Sequence, residues 1–199
     1  MKLYTAPGSC SSASHIALLE GQAEFEVQEL NLRSDRKLPD GRLLSHINPK
    51  DYVPVLELND GSILTENVAV LLYIADHFPS TGRTGVLDTW ERYRLLEWLA
   101  FINSEVHKTC SHFFNPNLPE DMRPILTMRL NTRYRYIDTE LAERNFLTGD
   151  EFTVVDSYLY VVSSWAPKLD YDLASYANVR AWQQRISERD SVKKVLGAG

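Results

Sequence analysis

Apolar and polar positions change rhythm along this chain, and the changes divide it. Lys2 to Thr5 reads as a short strand, closed by the turn Pro7-Gly8-Ser9 and followed by an apolar run from Ile16 to Leu19. That order predicts strand, turn, helix. Phe25, Val27, Leu30 and Leu32 then mark a second strand before a charged stretch from Arg33 to Arg42, and a right-handed crossover would set it parallel to the first. Two more apolar runs, Val53 to Leu58 and Ser62 to Leu64, flank Asn59-Asp60-Gly61. Asp-Gly between such runs is a strong hairpin signal, because tight hairpin turns need positive φ values. Thr65 stands where a helix N-cap would, and Val68, Leu71, Leu72 and Ala75 form one stripe behind it. The first half is therefore α/β, a βαβ unit followed by ββα.

From His77 to Thr89 the periodicity is lost among Pro79, Gly82 and Gly85, as in a linker between domains. We divide the chain into residues 1–77, a linker 78–88, and residues 89–199. Beyond the linker the rhythm is helical. Leu95, Trp98, Leu99, Ile102 and Val106 form one stripe, and Leu126, Leu130, Tyr134, Ile137 and Leu141 another. Thr153 with Asp156 three residues later predicts a capped helix start, and Pro167 should end or kink that helix. The second half is all-α.

Composition narrows the function classes. A hydrophobic fraction of 44% with 24% charged residues is that of a folded globular chain rather than a disordered one. The net charge of -6 lacks the basic footprint that nucleic acids and anionic membranes call for. Two cysteines cannot build a disulfide framework, and the five histidines show no paired metal spacing, so a reducing cytoplasm and no metal are expected. The start MKLYTAP carries no apolar signal core and no stretch is long enough to span a bilayer, which predicts neither secretion nor membrane insertion.

Several residues fit chemistry. Cys10 follows a strand and a turn just ahead of a helix, where backbone N–H groups and the helix dipole favour a thiolate. A small buried cysteine fits the same position. Ala13 three residues on excludes a C-x-x-C dithiol. Val53-Pro54 starts a strand; by base rate the bond is trans, and if cis it would turn the Val53 backbone outward to pair with a bound peptide. Glu66 and Asn67 open the helix after the hairpin, where free N–H groups suit a carboxylate and Glu66 an ammonium group, though taken alone simple capping explains them better. Ala100, Asn103, Ser104 and His107 share a second face of their helix, small and polar, either solvated or lining a cleft. In the cleft reading His107 donates to a sulfur. The mixed-sign run from Arg33 to Arg42 reads as a solvated loop, or as one from which Lys37 would reach an anionic ligand.

In this order the motifs resemble those of the bacterial beta-class glutathione transferases: MKLY with Pro7-Gly8-Ser9-Cys10-Ser11, Asn48-Pro49-Lys50 before Val53-Pro54-Val55-Leu56, Leu64-Thr65-Glu66, Ser104-Glu105-Val106-His107-Lys108, Asp156-Ser157-Tyr158 and Trp165-Ala166-Pro167. The resemblance covers nearly the whole chain. It implies a thioredoxin-like βαβ-α-ββα domain with a mixed four-stranded sheet, an all-helical second domain and a homodimer. Glutathione would be the bound co-substrate and a small hydrophobic electrophile its partner in a detoxifying conjugation. By the same resemblance Cys10 faces or bonds the glutathione sulfur, and Val53 before a cis Pro54 pairs with the cysteinyl backbone. Glu66 and Asn67 hold the γ-glutamyl end, and Lys37 approaches the glycine carboxylate. Asn103, Ser104, Glu105, Val106 and His107 flank the thiol from the helical domain. Two alternatives remain open: a monothiol thiol-disulfide reductase acting through Cys10, and a non-catalytic binder of hydrophobic ligands.

Overall fold

The computed structural model describes residues 1–32, 36–81 and 89–197. The first half holds β1 (Lys2–Thr5), α1 (Ser12–Glu20), β2 (Glu26–Glu29), β3 (Val55–Glu57), β4 (Ile63–Thr65) and α2 (Asn67–His77). The strands form one mixed sheet in the order β2-β1-β3-β4. β1 runs parallel to β2 and antiparallel to β3, and β3 pairs antiparallel with β4 in the register Val55 to Thr65. β2 is shorter than its apolar run. Leu30 bonds once more to Thr5 and then, with Leu38, Leu44, Val53 and Val55, builds a small core at one end of the sheet. Between β2 and β3 the described residues hold only a 3₁₀ turn, Leu44–His46, because Pro39, Gly41 and Pro49 interrupt any longer helix.

Two local expectations are corrected. Thr65 closes β4, and the residue capping α2 is Glu66, whose backbone stands at φ 72° and whose side chain makes no cap bond. The fully buried stripe of α2 is Val70, Leu71, Ile74 and Ala75, with Val68 and Leu72 half-buried, because α2 packs against α1 on one side and against the helical half on the other.

The helical half contains α3 (Trp90–Phe101), α4 (Lys108–Phe113), α5 (Met122–Glu140), α6 (Val154–Ser163), α7 (Ala177–Ser187) and α8 (Asp190–Leu196). Both predicted apolar stripes, Leu95 to Val106 and Leu126 to Leu141, are buried. α3 and α4 are joined by a π-helical segment, Ile102–His107, which periodicity at 3.6 residues per turn does not reveal. α6 ends at Ser163, and Pro167 lies in a 3₁₀ turn beyond it. Residues 82–88, which carry most of the expected linker, lie outside the described residues. None of the described helices is long and apolar enough to cross a membrane.

One apolar core runs through both halves, with α6 packed on α1. At the end of α1, Gly21 is required by a close approach: a Cβ there would lie 2.8 Å from the Cβ of Phe78. A polar latch closes the same side. Arg189 donates two hydrogen bonds to the Glu20 carboxylate, at 2.9 and 2.6 Å, and Ser191 adds a third. Burial opposes the Glu20 charge, yet the bonds from Arg189 and Ser191 hold its pKa below the ordinary 4.5. The sign follows: the latch stabilises the fold above about pH 4.5 and weakens as the carboxylate protonates below it. With the guanidinium one-third exposed, Arg189→Ala should cost roughly 1–2 kcal/mol in urea unfolding at pH 7. It should also blunt the acid sensitivity of the melting temperature. A variant melting like the wild type at both pH 7 and pH 4 would remove the latch from the account.

Candidate functional site

The site begins at the turn after β1. Gly8 takes φ 71°, a conformation glycine adopts without strain, and serine hydroxyls hold the chain around it. Ser11 Oγ accepts from the Ala6 N–H at 3.0 Å and lies 2.8 Å from the Thr5 hydroxyl, while Ser12 Oγ accepts from the Gly8 N–H at 3.2 Å. This places Cys10 one residue before the cap of α1. Its Sγ donates to the Val53 carbonyl at 3.7 Å, across from the Val53-Pro54 peptide bond, which is cis. None of the described residues accepts a hydrogen bond from the Val53 N–H.

A cleft of about 850 Å³ opens beside Cys10 between the two halves. Its walls include Pro7, Lys37 and Leu38 from the first half and His107, Phe114 and Trp165 from the second. Trp165 Nε1 donates to the Gly8 carbonyl at 2.9 Å, so the indole ties the cysteine turn to the helical half and packs edge-on against His107 and Phe114. A lone aromatic outside a helical stripe carries no signal of a cleft in the sequence, so only the folded chain shows this role of Trp165.

The thiolate expected at Cys10 is corrected. Burial pushes its thiol up to about 11, outweighing the backbone N–H groups of Cys10 and Ser11 that favour the anion. At neutral pH Cys10 is a thiol. His107 is also neutral: burial, helped by Lys108, pushes it down to about 4. Its Nδ1 lies 2.7 Å from the Tyr158 hydroxyl, which donates to Asn103 Oδ1 at 2.9 Å. Tyr158 is fully buried, and burial raises its phenol well above the ordinary range. Periodicity marks Tyr158 only as core.

The other expected residues divide. Lys37 is exposed and lines the cleft with Cys10 and His107. Glu66 bonds Lys50 and the Tyr52 hydroxyl, and its pKa is lowered chiefly by the bond from Lys50. Asn67 turns inward: Oδ1 accepts from Ser14 Oγ at 2.8 Å, and its buried Nδ2 has no hydrogen-bond partner, standing near the Tyr158 hydroxyl without bonding geometry. Asn103 and Ser104 are exposed on the π-helical segment. Two residues are corrected. The Glu105 carboxylate is taken up by Arg129 and Arg133 of α5, and Val106 is buried in the helical core, so neither side chain faces the cleft. In a run of successive helical residues only one side can face a ligand, and a family motif read as a block hides this. In the first half, the Asp51 carboxylate is paired with Arg36 at 2.5 Å. Among the described residues no cluster of histidine, cysteine and carboxylate has the makings of a metal site.

Comparison with known proteins gives the family of the chain. The family model described as the N-terminal domain of glutathione S-transferase matches residues 1–76, and that of the C-terminal domain matches residues 98–190. The sequence is 36% identical to glutathione S-transferase GstA of Escherichia coli O157:H7, over 100% of this chain and 98% of that protein. Among solved structures, a sphingomonad glutathione S-transferase complexed with glutathione superposes with a TM-score of 0.93 at 38% identity, covering 100% of this chain and 98% of the other. A beta-class glutathione S-transferase of Sphingomonas chungbukensis gives 0.91 at 38% identity, with the same coverage.

Proposed function

The chain belongs to the glutathione S-transferase family, and from that premise we propose how its own residues divide the work of conjugation. The protein is a glutathione transferase of the beta type: glutathione is its bound co-substrate, and its thiol is the nucleophile. The observation that carries the assignment of roles is the convergence of Cys10, Lys37 and His107 on one cleft, with the Val53 N–H left without a partner behind Cys10.

In this reading Val53, oriented by Pro54, pairs with the cysteinyl backbone of glutathione as an added strand would. The γ-glutamyl carboxylate meets the uncapped N–H groups at the start of α2, where Glu66 holds a positive φ that non-glycine residues rarely adopt, and the Glu66 carboxylate faces the ammonium group. Here Asn67 contributes its backbone N–H, not its side chain. Lys37 approaches the glycine carboxylate. Cys10 donates a hydrogen bond toward the glutathione sulfur, and His107 takes the thiol proton. Neutral imidazole suits that role, and the thiolate it creates would in turn favour the imidazolium. Asn103 and Ser104 border the site from the helical domain. The second substrate is a small hydrophobic electrophile seated against Leu38, Phe114 and Trp165. Residues 1–77 form the glutathione-binding domain, and residues 89–199 the domain that completes the second-substrate site. The protein works in the cytoplasm and forms a homodimer; the exposed Ile63, Trp90 and Tyr93 support the second of these.

Titration with glutathione by calorimetry should show saturable binding on the order of micromolar to millimolar affinity. Addition of an aryl halide should then yield the thioether. Cys10→Ala should retain both, since a thiol at about 11 supplies a hydrogen bond rather than a nucleophile. The same value disfavours the reductase alternative, which needs a thiolate. Absence of heat, with no displacement by a glutathione analogue, would overturn the assignment and favour a binder of other ligands.

A further inference from the structure

We propose that Tyr158 is a positioning residue that fixes the tautomer of His107, holding the proton on Nδ1 and leaving Nε2 as a bare acceptor for the cleft. The hydrogen bond that Tyr158 donates to Asn103 is the ground for it. A phenol has one hydrogen to give, and Tyr158 gives it to Asn103 Oδ1 at 2.9 Å. An amide oxygen can only accept. The contact of 2.7 Å between the Tyr158 oxygen and His107 Nδ1 must then carry the histidine's own proton. The Asn67 Nδ2 group is buried near the same oxygen without a hydrogen-bond partner, and it adds no acceptor for the phenol proton. With its one hydrogen on Asn103 Oδ1, the phenol oxygen acts toward His107 as an acceptor.

The consequence reverses the role expected for His107. A neutral imidazole with its hydrogen on Nδ1 has none on Nε2, so it cannot donate to a sulfur; it can only receive. Because this rests on the conjugation reading, the reaction step is written for it. The glutathione S–H bond breaks as an Nε2–H bond forms, and the imidazolium keeps its Nδ1–H on Tyr158. The thiolate pair then forms the S–C bond, the leaving group departs as an anion, and Nε2 releases its proton to that anion or to water. The arrangement follows the logic of a nucleophile, its base and the group that orients the base, with a tyrosine oxygen as the orienting acceptor. The chain Asn103, Tyr158, His107 links the π-helical segment to α6. In the π-helical segment Asn103 and His107 come at successive turns on one side, which lets both meet a single hydroxyl.

The test reads the tautomer directly, by two-bond proton–nitrogen NMR of His107 in the ligand-free full-length protein at pH 7. Wild type should show the hydrogen on Nδ1. In Tyr158→Phe, which keeps the packed ring, Nδ1 loses its acceptor and the Nε2–H form should appear. In Asn103→Ala the phenol is released to donate to Nδ1, and the tautomer should again move to Nε2–H. With glutathione and an aryl halide, Tyr158→Phe should lose roughly 10–100-fold in kcat, with little change in glutathione affinity, as expected for removing a group that orients another. Wild type with the hydrogen on Nε2, or both variants with the wild-type tautomer, would overturn the proposal, even if kcat fell. The NMR result needs no turnover, so failure of the wild type to conjugate would count against the transferase mechanism and not against the tautomer.

Discussion

Asp156→Ala is expected to cost the fold about 4 kcal/mol, a large part of the roughly 5–15 kcal/mol that holds a domain together. The carboxylate is completely buried and collects donors from three parts of the helical half: the Leu147 N–H at 3.1 Å, the Thr153 N–H at 3.0 Å and the Trp182 Nε1–H at 3.0 Å. Alanine would strand three buried N–H groups at about 1–3 kcal/mol each, offset in part where water reaches them, and would break the capping box of α6. Because α6 packs on α1, the loss should spread to the first half. Urea unfolding followed by tryptophan fluorescence measures it; a loss under 1 kcal/mol would show that the network does not hold the core. Wild type also carries a pH signature. Burial raises the Asp156 carboxyl from 3.8 to about 6 despite its four hydrogen bonds. The sign is that of a raised folded-state pKa: this contribution is full below about pH 3.8, is lost as pH rises through about 6, and amounts to some 3 kcal/mol. It runs opposite to the contributions of Glu20 and of His107, whose lowered pKa values add stability as pH rises, so it is read by difference: between pH 4 and 6 the wild type should lose stability relative to Asp156→Asn as pH rises.

His107→Ala should lower kcat for conjugation by about 10²-fold, the usual contribution of a positioned proton acceptor, while the glutathione Kd stays within roughly threefold. The split matters, because removing a residue that merely shaped the cleft would move Kd as well. Since burial keeps His107 of the free protein neutral down to about pH 4, the wild-type kcat/KM should show no inflection near 6.5, where an exposed histidine titrates. Stopped-flow turnover of an aryl halide between pH 5 and 8 reads both effects. An unchanged kcat in His107→Ala would move the proton elsewhere.

Much of this was legible in the chain. Alternation and the Asp-Gly turn placed all four strands, because a strand exposes its faces residue by residue. The stripes of α3 and α5 were read residue for residue, since a helix that packs on one side must repeat its apolar positions. Thr153 and Asp156 announced the start of α6, because a cap is a local contact between residues three apart. Cys10, Lys37 and His107 were chosen from position and motif, and they line one cleft.

What the chain could not tell depends on groups brought together from afar. The Cys10 thiol is set by how deeply the turn is buried, and a sequence shows the helix dipole that favours the anion but not the desolvation that defeats it. Glu105 and Val106 sit within the same motif as His107, yet the π-helical segment turns one toward the arginines of α5 and the other into the core. The polar ends of Trp165 and Tyr158 find Gly8 and His107, 157 and 51 residues away, partners that no local pattern marks. The sequence by itself determined the elements and their apolar faces, because those follow from local periodicity and turn chemistry. Only the tertiary structure decided protonation and hydrogen-bond direction in the cleft, because both depend on burial and on partners that the sequence separates.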